Sequence, residues 1–282
     1  MTTTFLEKKL KETIEKKEGI LSISLAPNGI RDYEEVLNSV QYLTEAGMNQ
    51  LLMLSYIPDA MKLAEIAPSE RKLLLQGIEK GSYRELFFDN AMAVKKRFSD
   101  LPIVATPMLG DVLCYGLERF IKKAARVGVN GWDSAHYQAI ADPVGYRKLV
   151  EKENIAFICA INAGGVDINN SDHRNTLEEI IRVTTGEVFF VPAIPGTSNV
   201  LKGQPVKSMV DFVHELQDKY NNHCPIISIG GINTPEDAYE VVRVAGTDGV
   251  HFSSAYMKRR FRGQSKEEIQ AWLKEVKQAM KS

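Results

Sequence analysis

Short apolar β-like runs recur along this chain, each followed by a longer stretch of helical period, and that alternation leaves few folds open. The runs are Ile20–Leu25, Gln50–Leu54, Ile103–Thr106, Gly131–Asp133, 156–160, Val188–Val191, Ile226–Ile229 and Gly249–Phe252. Between them lie apolar stripes at spacings of three and four, such as Val36, Leu37, Val40 and Leu43, or Leu117, Phe120, Ile121 and Ala124. These read as the core-facing sides of helices. Strands that alternate with helices build a parallel sheet. Three helix-to-strand joints also share one form: Glu45-Ala46-Gly47-Met48-Asn49, Arg126-Val127-Gly128-Val129-Asn130 and Val244-Ala245-Gly246-Thr247-Asp248. Glycine there can adopt the left-handed conformation that ends a helix, and the chain re-enters the sheet within a few residues. The repeated unit predicts an α/β fold, a closed (β/α)8 TIM barrel with an extra N-terminal helix. That helix, 5–17, lies in the segment 1–18 and is expected to cover the N-terminal end of the barrel, 19–282, the whole of 1–282 forming one domain.

Bulk properties agree with this and exclude other classes. The chain has 282 residues, and such barrels run to about 250 residues as one unit. Its formal charge of −1 leaves no footprint for nucleic acid or an anionic membrane. The basic run Lys258-Arg259-Arg260-Phe261-Arg262 is expected to be the solvated face of a late helix. The three cysteines, Cys114, Cys159 and Cys224, are far apart and form no C-x-x-C, so no disulfide framework or zinc site is expected, and a reducing cytoplasm is. With no H-x-x-x-H or H-x-H spacing, no metal is expected, and no cofactor either. The N-terminus lacks an apolar run long enough for a signal or a membrane span.

Barrels of this kind place their chemistry at the C-terminal ends of the strands. The stretch 226–255 is the most informative there. Gly230, Gly231, Ile232 and Asn233 turn out of one strand, and Thr234-Pro235-Glu236-Asp237 opens a helix with a capping hydroxyl before a first-turn proline. The next strand ends in Ser253-Ser254-Ala255, which leads straight into another helix. Two adjacent turns with close backbone approach and helix N-termini suit a phosphate monoester.

The segment 102–133 then resembles the α subunit of tryptophan synthase, in its apolar strand, its loop ending in glycine, its Phe-containing helix, and its A-x-x-x-G-V-N-G run before Asp133. The likeness continues in Phe157-Ile158-Cys159, in Phe189-Phe190-Val191 leading to Pro195-Gly196-Thr197-Ser198, in Gly231-Ile232-Asn233-Thr234-Pro235-Glu236, and in Asp248-Gly249-Val250 with Ser253-Ser254-Ala255, covering about 19–281. It implies a phosphate held by Gly196, Ser198, Gly231, Ser253 and Ser254, and a substrate pocket lined by Leu54, Met108 and Phe190. Asn199 and Ser253 stand where that family has glycine, and Phe190 replaces a tyrosine. The family's second strand ends in a proton-shuttling glutamate, whereas this chain has Met53-Leu54-Ser55. Neither Met53 nor Leu54 can transfer a proton. Glu65, in Leu63-Ala64-Glu65, stands in the place of the family's loop aspartate.

The expected function is an aldolase-type lyase acting on a phosphorylated small molecule, with Glu65, Asp133 and Asp111 as the catalytic carboxylates. Retro-aldol cleavage needs one group to remove a hydroxyl proton and another to protonate the leaving atom, so at least two titratable groups must face the phosphate. His251, inside the last strand, reads as a hydrogen-bonded barrel residue. A catalytically silent paralogue that binds a phosphometabolite or a β-type partner subunit is the alternative. An isomerase of phosphorylated sugars on the same barrel is a third, and it needs a base that the second strand does not supply.

Overall fold

A computed structural model describes residues 3–25, 33–54, 84–107, 109–133, 141–162, 166–191 and 204–281. The elements, in order, are α1 (Phe5–Glu15), β1 (Ile20–Leu25), α2 (Tyr33–Glu45), β2 (Gln50–Leu54), α3 (Arg84–Arg97), β3 (Ile103–Thr106), α4 (Leu109–Tyr115), α5 (Leu117–Arg126) and β4 (Gly131–Asp133). There follow α6 (Tyr146–Lys152), β5 (Ala156–Asn162), α7 (Ser171–Val183), β6 (Val188–Val191), α8 (Gln204–Tyr220), β7 (Ile226–Ile229), α9 (Pro235–Tyr239), β8 (Gly249–Phe252), α10 (Ser254–Phe261) and α11 (Lys266–Met280). A π-helical turn, Glu240–Val244, continues α9 toward β8.

The strands close into a barrel in chain order, all parallel, with β1 bonded to both β2 and β8. β5 runs on to Asn162, because Ile161 and Asn162 still pair with Phe190 and Val191 of β6. Both faces of these strands are covered, one by the barrel interior and one by helices, so they read as continuous apolar runs. The pairing registers separate the two faces. Ser22, Gln50, Val104, Gly131, Asp133, Ile158, Phe189, Ile227 and His251 share the inward phase. Their neighbours in sequence face the helices, as Trp132 does when its indole N–H donates to the Tyr146 hydroxyl of α6.

Helix α1 closes the N-terminal end, as expected, although it stops at Glu15, and Lys17 takes a φ of 57°. Leu6 is fully buried. A Cβ at Gly131 would lie 2.7 Å from Leu6 Cδ2, and one at Gly186 would lie 3.2 Å from it, so these two glycines make the space in which the leucine plugs the barrel floor.

The joints carry a device beyond their glycines, which take φ of 98°, 91° and 92° at Gly47, Gly128 and Gly246. Asn49, Asn130 and Asp248 each give a backbone N–H to Leu21, Ile103 and Ile226, all at 2.8 Å. Their side-chain oxygens accept the N–H of the same three residues at 3.0, 3.2 and 2.7 Å. Thr185 repeats the exchange with Phe157, at 3.0 Å through the backbone and 2.7 Å through its hydroxyl. Each even-numbered strand is thus locked to the start of the odd strand before it, with backbone groups that would otherwise be unpaired at a strand end satisfied reciprocally.

Lys258 and Arg262 of the basic run are exposed, as expected, while Arg259 and Arg260 are half-buried. The Arg259 guanidinium lies 3.7 Å from the centroid of the Trp272 ring, and Arg260 bonds Glu35 at 3.0 Å. The stems of these cations cover apolar surface between α10, α11 and α2.

Candidate functional site

The residues expected to hold a phosphate gather in part at one place. Gly231, at φ 73°, follows β7, and Gly230 before it takes φ 88°. Ser253 follows β8, and Ser254 opens α10. β7 and β8 are neighbours, so the glycine pair and the serine pair share the C-terminal rim. The Ser253 Oγ is buried and has no hydrogen-bond partner among the described residues, nor does it cap α10. A buried hydroxyl left unpaired costs about 1–3 kcal/mol. Gly196 and Ser198 lie outside the described residues.

The first turn of α9 is arranged differently. Thr234 caps it, with Pro235 in the first turn, as the sequence predicts. The Asp237 carboxylate then reaches back to accept the N–H groups of Asn233 and Thr234, at 3.0 and 3.1 Å. That helix N-terminus already holds an anion of its own.

Asp133 ends β4 and is buried, with an inward position paired in register to Ile158. It stands four strands around the barrel from β8, so it faces the serine pair across the interior. Thr106, at the end of β3, carries a second buried hydroxyl without a partner among the described residues. Asp111 falls in α4, just after β3, and Leu54 ends β2 in register with Thr106; the side chains of both lie outside the described residues. Glu65 and Met108 lie outside them altogether.

Phe190 is corrected by the structure. It is fully buried among Leu177 and Ile181 of α7 and Val210 and Val213 of α8, on the outer face of the sheet. Strand alternation forces one of the adjacent phenylalanines out and the other in. Phe189 is the inward one, with its ring centroid 6.0 Å from that of His251. Met53 also faces outward, sharing the phase of Leu25 and Ala105.

Two interior polar groups lie below the rim. His251 is the hydrogen-bonded barrel residue expected from its place in β8: its Nδ1 and Nε2 sit 2.8 Å from the hydroxyls of Ser22 and Ser24. Burial drives its imidazole down to about 3, so the ring is neutral. Gln50 and Glu187 form the second group, which the sequence reading missed. Gln50 Nε2 donates to Glu187 Oε1 at 2.5 Å, linking β2 to the residue before β6 across the barrel. Burial pushes the Glu187 carboxyl up to about 8, opposed by the hydrogen bond from Gln50 and aided, least of the three, by the nearby charge of Asp133. The signal was phase: Glu187 alternates with inward Phe189 and Val191, so a strand drawn one residue longer puts a carboxyl inside.

A family model described as tryptophan synthase alpha chain matches residues 15–282 of this chain. The tryptophan synthase alpha chain of Methanosarcina barkeri is 25% identical over 280 residues, which is 98% of this chain and 97% of that one. That of Caulobacter vibrioides is 28% identical over 234 residues, 82% of this chain and 78% of the relative. Among solved structures, one from Aquifex aeolicus VF5 superposes with a TM-score of 0.82 at 19% identity, covering 99% of this chain and 100% of the other. Tryptophan synthase subunit alpha from Legionella pneumophila superposes with 0.77 at 16% identity, covering 99% of each. The solved structures speak for the fold.

Proposed function

The chain belongs to the tryptophan synthase alpha chain family, and from that premise we propose that it is an aldolase-type carbon–carbon lyase acting on a phosphorylated substrate. The observation that carries the reading is the Ser253 hydroxyl, buried at the rim between β8 and α10 without a partner among the described residues. Gly231 and Ser254 flank it, and Gly196 and Ser198 complete the phosphate site. Because Asp237 occupies the first turn of α9, the dianion sits toward the glycine pair and the start of α10.

Cleavage requires a group that takes a hydroxyl proton as the carbon–carbon bond breaks and a second that protonates the leaving atom. Asp133 faces the phosphate from across the interior, with Glu65 contributed by the segment after β2 and Asp111 by α4, just after β3. Leu54 and Met108 wall the pocket for the organic part. Strand β2 offers no carboxylate at its end, Met53 being turned out toward the helices, and this argues against indole-glycerol phosphate as the substrate.

The same absence favours a second reading, a silent paralogue that binds a phosphometabolite or docks on a β-type subunit. The experiment that separates them combines turnover and binding. In the enzyme, Asp133→Asn and Glu65→Gln abolish cleavage while affinity for glycerol phosphate stays unchanged; in the binder, no cleavage exists to lose. An assay with indole-glycerol phosphate comes first, and substantial indole release overturns the argument from the missing carboxylate.

A further inference from the structure

Glu187 lies in the barrel interior with an unusual pair of unsatisfied atoms. Its Oε1 accepts from Gln50 Nε2, yet its Oε2 and the Gln50 Oε1 are both buried without a partner among the described residues. Buried polar atoms in folded proteins are nearly always paired. An ionised carboxylate offers two acceptors and no donor, so it cannot satisfy the amide oxygen. One added proton can: a carboxylic acid O–H directed at Gln50 Oε1, beside the amide N–H directed at Glu187 Oε1, closes a ring of two hydrogen bonds and leaves neither oxygen alone.

The register sets this group beside the candidate site. Asp133 pairs with Ile158. Since Cys159 pairs with Val188, Glu187 falls level with that same Ile158. The two acids therefore flank one residue in the inward phase, about 10 Å apart along the curved wall and closer through the interior. Two carboxylates converging on a water-poor space cannot both ionise cheaply; one keeps a proton and the other carries the charge.

We propose that Glu187 is a proton-bearing positioning residue, which closes a two-hydrogen-bond ring with Gln50 across the barrel and, as the neutral member of an interior acid pair, leaves the negative charge on Asp133 at the rim. The role rests on the reading of Asp133 as a site residue. The groups around Glu187 agree with it. From β2 comes the neutral Gln50 amide, from β4 Asp133, and from the residue before β6 the uncharged Gly186, packed on Leu6 of α1. The Cys224 thiol ahead of β7 is pushed up to about 12 by burial, and His251 of β8, against Phe189, is neutral. No cation among these groups favours ionising Glu187.

The test is a carboxyl-carbon NMR titration of the full chain labelled at Glu and Asp, in the wild type and in Glu187→Gln and Asp133→Asn, which assign the two signals. The expected result at pH 7 is a glutamate resonance at the protonated position, absent from Glu187→Gln and titrating near 8. The Asp133 midpoint is expected to be the same in wild type and Glu187→Gln, because a neutral acid is exchanged for a neutral amide. A Glu187 resonance already ionised at pH 6, or an Asp133 midpoint that drops when Glu187 becomes Gln, overturns the proposal. Should Glu187→Gln fail to fold, Gln50→Leu assigns the signal, because the loss of both ring hydrogen bonds moves the protonated glutamate resonance; a glutamate resonance unmoved by Gln50→Leu refutes the ring. No turnover enters this readout, so an inactive protein counts against the lyase and not against the proton on Glu187.

Discussion

Two polar clusters share the inside of one barrel, and they differ in how completely their atoms are partnered. Around His251 both ring nitrogens meet serine hydroxyls of β1, and a neutral imidazole needs nothing more. On β2 and β3, just before β6 and just after β8, by contrast, Gln50, Thr106, Glu187 and Ser253 each keep a buried atom without a partner among the described residues. The first cluster is closed and structural. The second is closed at depth by the proton we place on Glu187 and, in our reading, binds its ligand at the rim.

The comparison can be broken at several points. The largest effect belongs to the open side: Asp133→Asn is expected to lower carbon–carbon cleavage by about 10²–10⁴-fold with little change in glycerol phosphate affinity, as measured by steady-state kinetics and calorimetric titration. Equal losses of affinity and turnover would place Asp133 among the binding groups. On the closed side, His251→Leu strands the Ser22 and Ser24 hydroxyls in the interior and is expected to cost about 2–4 kcal/mol in urea unfolding.

The pH dependence of stability sharpens the contrast further, because the two clusters pull in opposite directions. An unfolded chain releases the Glu187 proton near 4.5 and the folded one holds it to about 8, so in that window the native state binds the extra proton and stability falls as pH rises. His251 takes up its proton near 6.5 when unfolded and only near 3 when folded, so the stability it contributes is present above 6.5 and drains away as pH falls toward 3. The slopes oppose each other from 4.5 to 6.5. Between 6.5 and 8 only the Glu187 slope remains, and the wild type is expected to lose about 2 kcal/mol there, at about 1.4 per pH unit. Glu187→Gln, which can still pair with Gln50, should flatten that decline; a decline that survives in the variant has another source.

The smallest difference is between two serines. Ser22→Ala removes one half of a satisfied pair and should cost about 1 kcal/mol. Ser253→Ala removes a hydroxyl that lacks a partner among the described residues, so it should leave stability within about 0.5 kcal/mol while weakening phosphate binding. A Ser253→Ala protein as destabilised as Ser22→Ala would mean the hydroxyl has a partner in the free fold.

Much of the architecture was legible because covering a strand on both faces writes it as an unbroken apolar run, and because Gly47, Gly128 and Gly246 punctuate three of the joints identically. The same double coverage hid the direction of side chains. Phe189 and Phe190 are both apolar and both buried, and only pairing with Ile227 and Ser228 tells inside from outside. Glu187 was missed for a related reason: starting a strand at its first apolar residue, Val188, discards the polar residue before it, which shares the inward phase of Phe189. The reach-back of Asp237 was readable in Thr234-x-x-Asp237, where a carboxylate three residues after the cap competes with an external anion for the same N–H groups. Of the expected site residues, Gly231, Ser253, Ser254 and Asp133 lie at the C-terminal ends of β7, β8 and β4, while Glu65, Met108, Gly196 and Ser198 fall outside the described residues.

The most direct test of the phosphate rim is a backbone amide NMR titration of the full chain with glycerol phosphate. The account predicts saturable shifts at Gly230, Gly231, Ser253 and Ser254, with Leu6 and the rest of α1 unmoved and the affinity reduced at least about tenfold in Ser253→Ala, or about 1.4 kcal/mol. Saturable shifts confined to the α1 end, or none at the four rim amides, would contradict it.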